Sequence, residues 1–62
     1  MIYIVRRKID DKYYNSKSNN WEQDLDQQCW LSKEEIAIFK ERNSNTLNNY
    51  LIYTILNPSL DV

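Results

Sequence analysis

The chain of 62 residues contains no histidine and no glycine, and it has one cysteine, one proline and one methionine. Each of these shortages removes a class of chemistry. Without histidine there is no Ser–His or Cys–His pair to activate a nucleophile near neutral pH. Without glycine there is no phosphate-cradling loop and no dinucleotide fingerprint, because both bring backbone against phosphate where a Cβ would intrude. A lone cysteine can form neither an internal disulfide nor a thiolate cage for zinc, and it fits a reducing compartment. Charges begin at Arg6, too early for the apolar region of a signal peptide or for the roughly 20 apolar residues that span a bilayer. No lipidation motif is visible. The expectation is a cytoplasmic protein without cofactor, membrane contact or small-molecule substrate.

What the chain does have is apolar and aromatic bulk. Hydrophobic residues make up 42% and aromatic residues 13%, a composition that folds. A chain of this size buries roughly 60% of its unfolded surface, which leaves room for a single domain over 1–62 with one core of marginal stability. With no disulfide or metal to reinforce it, a partner chain is the remaining support.

The net charge of −1 is unevenly spread. Residues 1–20 carry five cations (Arg6, Arg7, Lys8, Lys12, Lys17) against Asp10 and Asp11, whereas residues 21–62 carry three cations against seven carboxylates. Such asymmetry suits a nucleic-acid face, a surface for an acidic partner, or head-to-tail self-association.

Residues 2–8 alternate as a strand, with Tyr3, Val5 and Arg7 on one side and Ile2, Ile4, Arg6 and Lys8 on the other. Ile9 to Lys12 then turn the chain into "KYYN", a β-hairpin whose second strand covers 12–15. With no glycine, the positive-φ positions of turns fall to Asp or Asn. "NSKSNN", residues 15–20, reads as a mobile polar loop ahead of Trp21, and "CWL" supports a short strand over 27–31. Ser32 and Glu35 have the spacing of a capping box, with Leu31 and Ile36 placed as a hydrophobic staple, so a helix begins at Lys33 and ends near Asn43. Ile36, Ala37 and Phe39 form its inward side; Ile38 falls on the opposite side. In the tail, Leu47, Tyr50, Leu51, Thr54 and Ile55 fit helical spacing, but β-branched and aromatic content favours a strand over 50–56, stopped by Pro58. The fold class is therefore α+β, a small antiparallel sheet of three to four strands with an N-terminal hairpin and one helix packed on one face. The alternative is a hairpin followed by two helices. In the order of its elements the chain resembles many short bacterial and phage proteins, a likeness of pattern that names no family and implies no activity.

Candidate sites follow from what is left. Cys29 lies between Gln28 and Trp30 with no cation close in sequence, and reads as a small core residue. Glu22, Asp24 and Asp26 resemble a fragment of a calcium loop, but the glycine of its sharp turn is missing, so they read as a solvated acidic loop and no metal is expected. Arg6, Arg7, Lys8, Lys12 and Lys17 can contact phosphates while Tyr3, Tyr13 and Tyr14 stack on bases. Against that stand a pI of about 5.2, the carboxylates at the turn, and an alternation that divides the cations between two faces. Eight aromatic rings are more than one small core encloses, and such rings dominate protein interfaces. Tyr13, Tyr14, Trp21 and Tyr53 are the candidate anchors. The leading expectation is a non-enzymatic interaction module that docks on another protein or on itself as a homodimer, with weak nucleic-acid binding as the alternative.

Overall fold

A computed structural model describes residues 1–55. Strands β1 (Ile2–Arg7), β2 (Lys12–Asn15) and β3 (Asn20–Glu22) come first, helix α1 (Lys33–Arg42) follows, and β4 (Tyr50–Ile55) ends the described chain. Single 3-10 turns at Gln27–Cys29 and Leu47–Asn49 lead into the segments on either side of α1. Among the described residues the strands form one antiparallel sheet in the order β3-β2-β1-β4. The architecture is thus α+β with an N-terminal hairpin, as the alternation implies. Leu56 and the expected stop at Pro58 lie outside the described residues.

β1 is the central strand because both its faces are apolar where it starts. β4 runs beside it from Ile2↔Ile55 to Arg7↔Tyr50, while on its other side β2 pairs with Arg6 and Arg7. Beyond the end of β2, Leu31 takes the place next to Tyr3, exchanging two 2.9 Å backbone hydrogen bonds with it. The strand expected over 27–31 therefore shrinks to this one bridge. Its first residues form a 3-10 turn instead, because Asp26 caps them by accepting from the Gln28 N–H at 2.8 Å.

The third strand is β3, inside a stretch that reads as loop and acidic connector. The 15–20 segment is a tight second hairpin rather than a mobile loop. Asn15 pairs with Asn20, and the Asn15 side chain accepts from the backbone N–H groups of Lys17 and Ser18 at 3.0 and 3.3 Å. Its amide also donates to Glu22 and Gln28. Asn15 is only 1% exposed, and these bonds use both ends of its amide, as a buried polar group requires. The left-handed backbone positions fall on Asp11 (φ 57°) and Asn19 (φ 58°), the residue types that tolerate them best in a chain without glycine.

α1 starts where the capping box places it. Ser32 Oγ accepts from the Glu35 N–H at 3.1 Å and the Glu35 carboxylate accepts from the Ser32 N–H at 2.8 Å. Leu31 and Ile36 both join the buried cluster with Val5 and Phe39, so the staple and the core are one structure. Ala37, expected inward, is exposed, and the helix buries only Ile36 and Phe39. Tyr3, Tyr14, Trp21, Tyr50 and Ile52 pack around that cluster, which identifies the sheet face that α1 covers. The side chains of Ile2, Ile4, Arg6, Tyr13, Leu51, Tyr53 and Ile55 belong, by alternation, to the far face. Among the described residues no helix is long and apolar enough to cross a membrane.

Candidate functional site

The four aromatic anchors expected from the sequence separate into two surfaces. Tyr14 and Trp21 are directly paired across β2 and β3, with ring centroids 5.4 Å apart. They join Phe39 from α1 and Tyr50 from β4, each ring lying 5.1 to 6.3 Å from at least two of the others. These rings line a cleft of about 480 Å³ between α1 and the sheet, with Glu35 and Arg42 as its charged residues. Ile38, on the outward side of α1, is 50% exposed and contributes to the same cleft. Tyr50 is absent from the residues expected at a site; the signal for it is its alternation with Ile52.

Tyr13 and Tyr53 lie on the far face. Tyr13 is half-buried opposite Arg6, whereas Tyr53 is 41% exposed, with the Arg6 guanidinium 5.8 Å from its ring centre. Leu51 and Ile55, two positions before and after Tyr53, share its side of β4 and are half-buried. Ile4, beside Tyr53 on β1, is fully enclosed. Tyr53 on the β4 margin is therefore the most exposed large apolar side chain of the far face among the described residues, with Ile2 and Tyr13 half-buried elsewhere on it.

The carboxylates of the hairpin turn engage two of its cations, Arg6 and Arg7. Arg7 makes a two-point contact with Asp10, Nε to Oδ1 at 3.0 Å and Nη2 to Oδ2 at 2.6 Å. Its hydrogen bond to Asp10 raises the Arg7 pKa further, and the same bond holds the Asp10 carboxyl below the usual range. The other side of the Arg7 guanidinium lies 4.4 Å from the Trp21 ring centre. Arg6 points to the opposite face and approaches Asp11 at 3.7 Å. Lys8, Lys12 and Lys17 have no carboxylate within ion-pair distance among the described residues. The structure thus divides the five expected phosphate contacts rather than assembling them.

The remaining candidates have structural tasks. Cys29 is fully enclosed, and burial pushes its thiol above the ordinary value, away from the thiolate that a nucleophile needs. Glu22 accepts from Asn15 and Asp26 caps the 3-10 turn, so these two carboxylates serve separate partners. Glu35 accepts hydrogen bonds from Ser16 and from the Ser32 backbone, which lower its pKa. No protein family, curated protein or solved structure matches the chain.

Proposed function

We propose that the chain is a non-enzymatic protein-interaction module, a small cytoplasmic regulator or inhibitor that docks on another protein or on a second copy of itself. The docking surface is the β4 margin of the far face. The observation that carries this reading is Tyr53, 41% exposed in the middle of the uncharged strand YLIYTI and flanked by Leu51 and Ile55. A large ring held at a sheet edge, apolar on its face and with a polar hydroxyl at its tip, is the kind of side chain that anchors interfaces. Within the described residues the ring has the Arg6 guanidinium 5.8 Å from its centre and stands outside the buried cluster and the rings around it.

Nucleic-acid binding has less support. Arg6 and Arg7 are engaged with Asp11 and Asp10 on opposite faces, and Tyr14 is committed to the aromatic cluster. Binding through Lys8, Lys12 and Lys17 alone would weaken steeply with salt.

The test places a photo-crosslinking amino acid at position 53, with a control at Ile9, which sits 87% exposed on the hairpin turn. In the native host, position 53 is expected to give a discrete protein adduct that position 9 does not. No adduct from position 53, or the same scatter of adducts from both, rejects the reading.

A further inference from the structure

The backbone of β4 says more about the occupant of this surface than its side chains do. β4 ends the sheet order, so one side of it has no strand partner among the described residues. Two observations fix which groups point outward. The Lys8 N–H donates to the Asn49 carbonyl at 2.9 Å, and Tyr3 turns both its N–H and C=O toward Leu31, away from β4. In an antiparallel ladder the groups alternate side by side. Leu51, Tyr53 and Ile55 therefore bond to β1, and Tyr50, Ile52 and Thr54 face outward. The Tyr50 N–H is already used, since it donates to the Leu47 carbonyl that closes the preceding 3-10 turn. Among the described residues, the outward amides of this edge without a backbone partner are those of Ile52 and Thr54.

The two edges of the sheet are built differently. β3 has three residues and carries Glu22, and a short, charged edge resists pairing with a copy of itself. β4 has six residues with no charge, no proline and no interruption of its register with β1. The strand itself brings no charge to a contact between two copies, and the cation nearest Tyr53, Arg6, is accompanied by Asp11.

We propose that β4 pairs antiparallel with β4 of a second copy of this chain, across a two-fold axis at Tyr53. The inference rests on the interaction-module reading above and names the partner. A two-fold axis perpendicular to the sheet keeps each side chain on its own face, so it must pass through a residue position. At Tyr53 it sets Ile52 opposite Thr54 of the partner subunit, and the reverse. Four backbone hydrogen bonds then form, using the N–H and C=O of both residues in both chains. An axis at Ile52 would instead oppose Thr54 to Tyr50, whose amide is occupied, and would leave acceptors unpaired. With the axis at Tyr53 the far faces join: the two Tyr53 rings stand opposite each other, and each Leu51 faces the Ile55 position of the other chain. The contact is apolar and hydrogen-bonded, and salt leaves it unchanged.

Sedimentation equilibrium of the full chain over a concentration series, at low and high salt, reads the association. The expected result is a monomer–dimer equilibrium independent of salt. Thr54→Pro removes an outward donor without touching the β1 ladder, a change that an edge strand accepts, and Thr54→Lys adds charge to the edge. Both are expected to be monomeric with cooperative unfolding retained. Should Thr54→Pro fail to fold, amide hydrogen exchange of the unaltered chain gives the same answer. Protection of Ile52 and Thr54 rises with concentration, while that of Tyr53, bonded to β1, does not. A monomer at every concentration, a dimer that both variants leave intact, or exchange at Ile52 and Thr54 that ignores concentration overturns the proposal. The crosslinker at position 53 separates this failure from that of the broader reading. A monomer whose position 53 still captures a different protein removes only self-pairing, and a monomer that captures nothing removes both.

Discussion

Trp21 and Tyr50 stack with their ring centroids 5.6 Å apart and their planes 8° from parallel, although they come from the two opposite edge strands of the sheet. Arg7 lies between them in strand order and is covered by the Trp21 ring. A sheet of short strands with one ten-residue helix on it leaves part of the covered face beyond the helix, and these rings close much of that gap. The aromatic cluster is consequently a second layer of core, lined on one side by the cleft.

Trp21→Ala should therefore cost about 3 kcal/mol, the low end for truncation of packed aromatic residues because Trp21 is only half-buried. Urea unfolding checks it through a lower midpoint at similar slope. A loss below about 0.5 kcal/mol, the size of an ordinary surface change, would mean the ring is free for binding and that the cleft, not the far face, is the functional surface.

Asn15→Ala should destabilise the second hairpin by about 1–3 kcal/mol, because it removes the hydrogen bonds of a fully enclosed side chain. The Asn15 side chain bonds the Lys17 and Ser18 amides and reaches Glu22 and Gln28, so the loss should be visible at all these sites. Thermal unfolding gives the magnitude. Chemical-shift changes at Lys17 and Ser18 alone, with β3 undisturbed, would show that the amide holds the turn but not the strand.

Acid should weaken the fold through Glu35, and less through the exposed Asp10, since the bonds from Ser16 and Arg7 lower their pKa values. A carboxylate with a lowered folded pKa stabilises the fold above its unfolded pKa of about 4. That contribution disappears as pH falls through the folded value, because the unfolded chain binds more protons there. Glu35→Gln keeps the capping box but not the charge, so its stability should fall less between neutral pH and strong acid than that of the unaltered chain. Equal acid slopes would contradict the assignment.

Cys29 should resist thiol reagents in the folded protein, since it is fully enclosed and burial raises its pKa. The rate of labelling should follow the population of opened molecules as denaturant is added. Labelling faster than a free thiol in native buffer would expose an activated nucleophile and reopen the question of catalysis.

Particular residues explain how far the sequence could be read. Ser32 and Glu35 announced α1 because a capping box is a local pattern with a fixed spacing, and β1 and β4 were legible because their apolar runs are long enough to show a period. β3 was hidden: three residues carry no period, and its formation depends on Asn15 reaching across a turn. The bridge at Leu31 was misread as a strand because apolar content does not reveal that Asp26 turns the chain first. Of the anchors, the alternation of Tyr13 and Tyr14 tells that they part, but only the strand order tells which of them meets α1. Tyr53 was legible as an aromatic residue in a strand; that it stands on an edge of the described sheet, on the face away from α1, comes from the strand order.

The most direct measurement of the central claim is the native mass of the chain in extracts of its host, with Tyr53→Asp beside the unaltered protein. The account predicts that the unaltered chain travels in an assembly larger than one copy. Tyr53→Asp, which changes a side chain outside the core, should travel as a folded single copy that unfolds cooperatively. An unaltered chain found only as a monomer, or a Tyr53→Asp chain that stays in the same assembly, would contradict it.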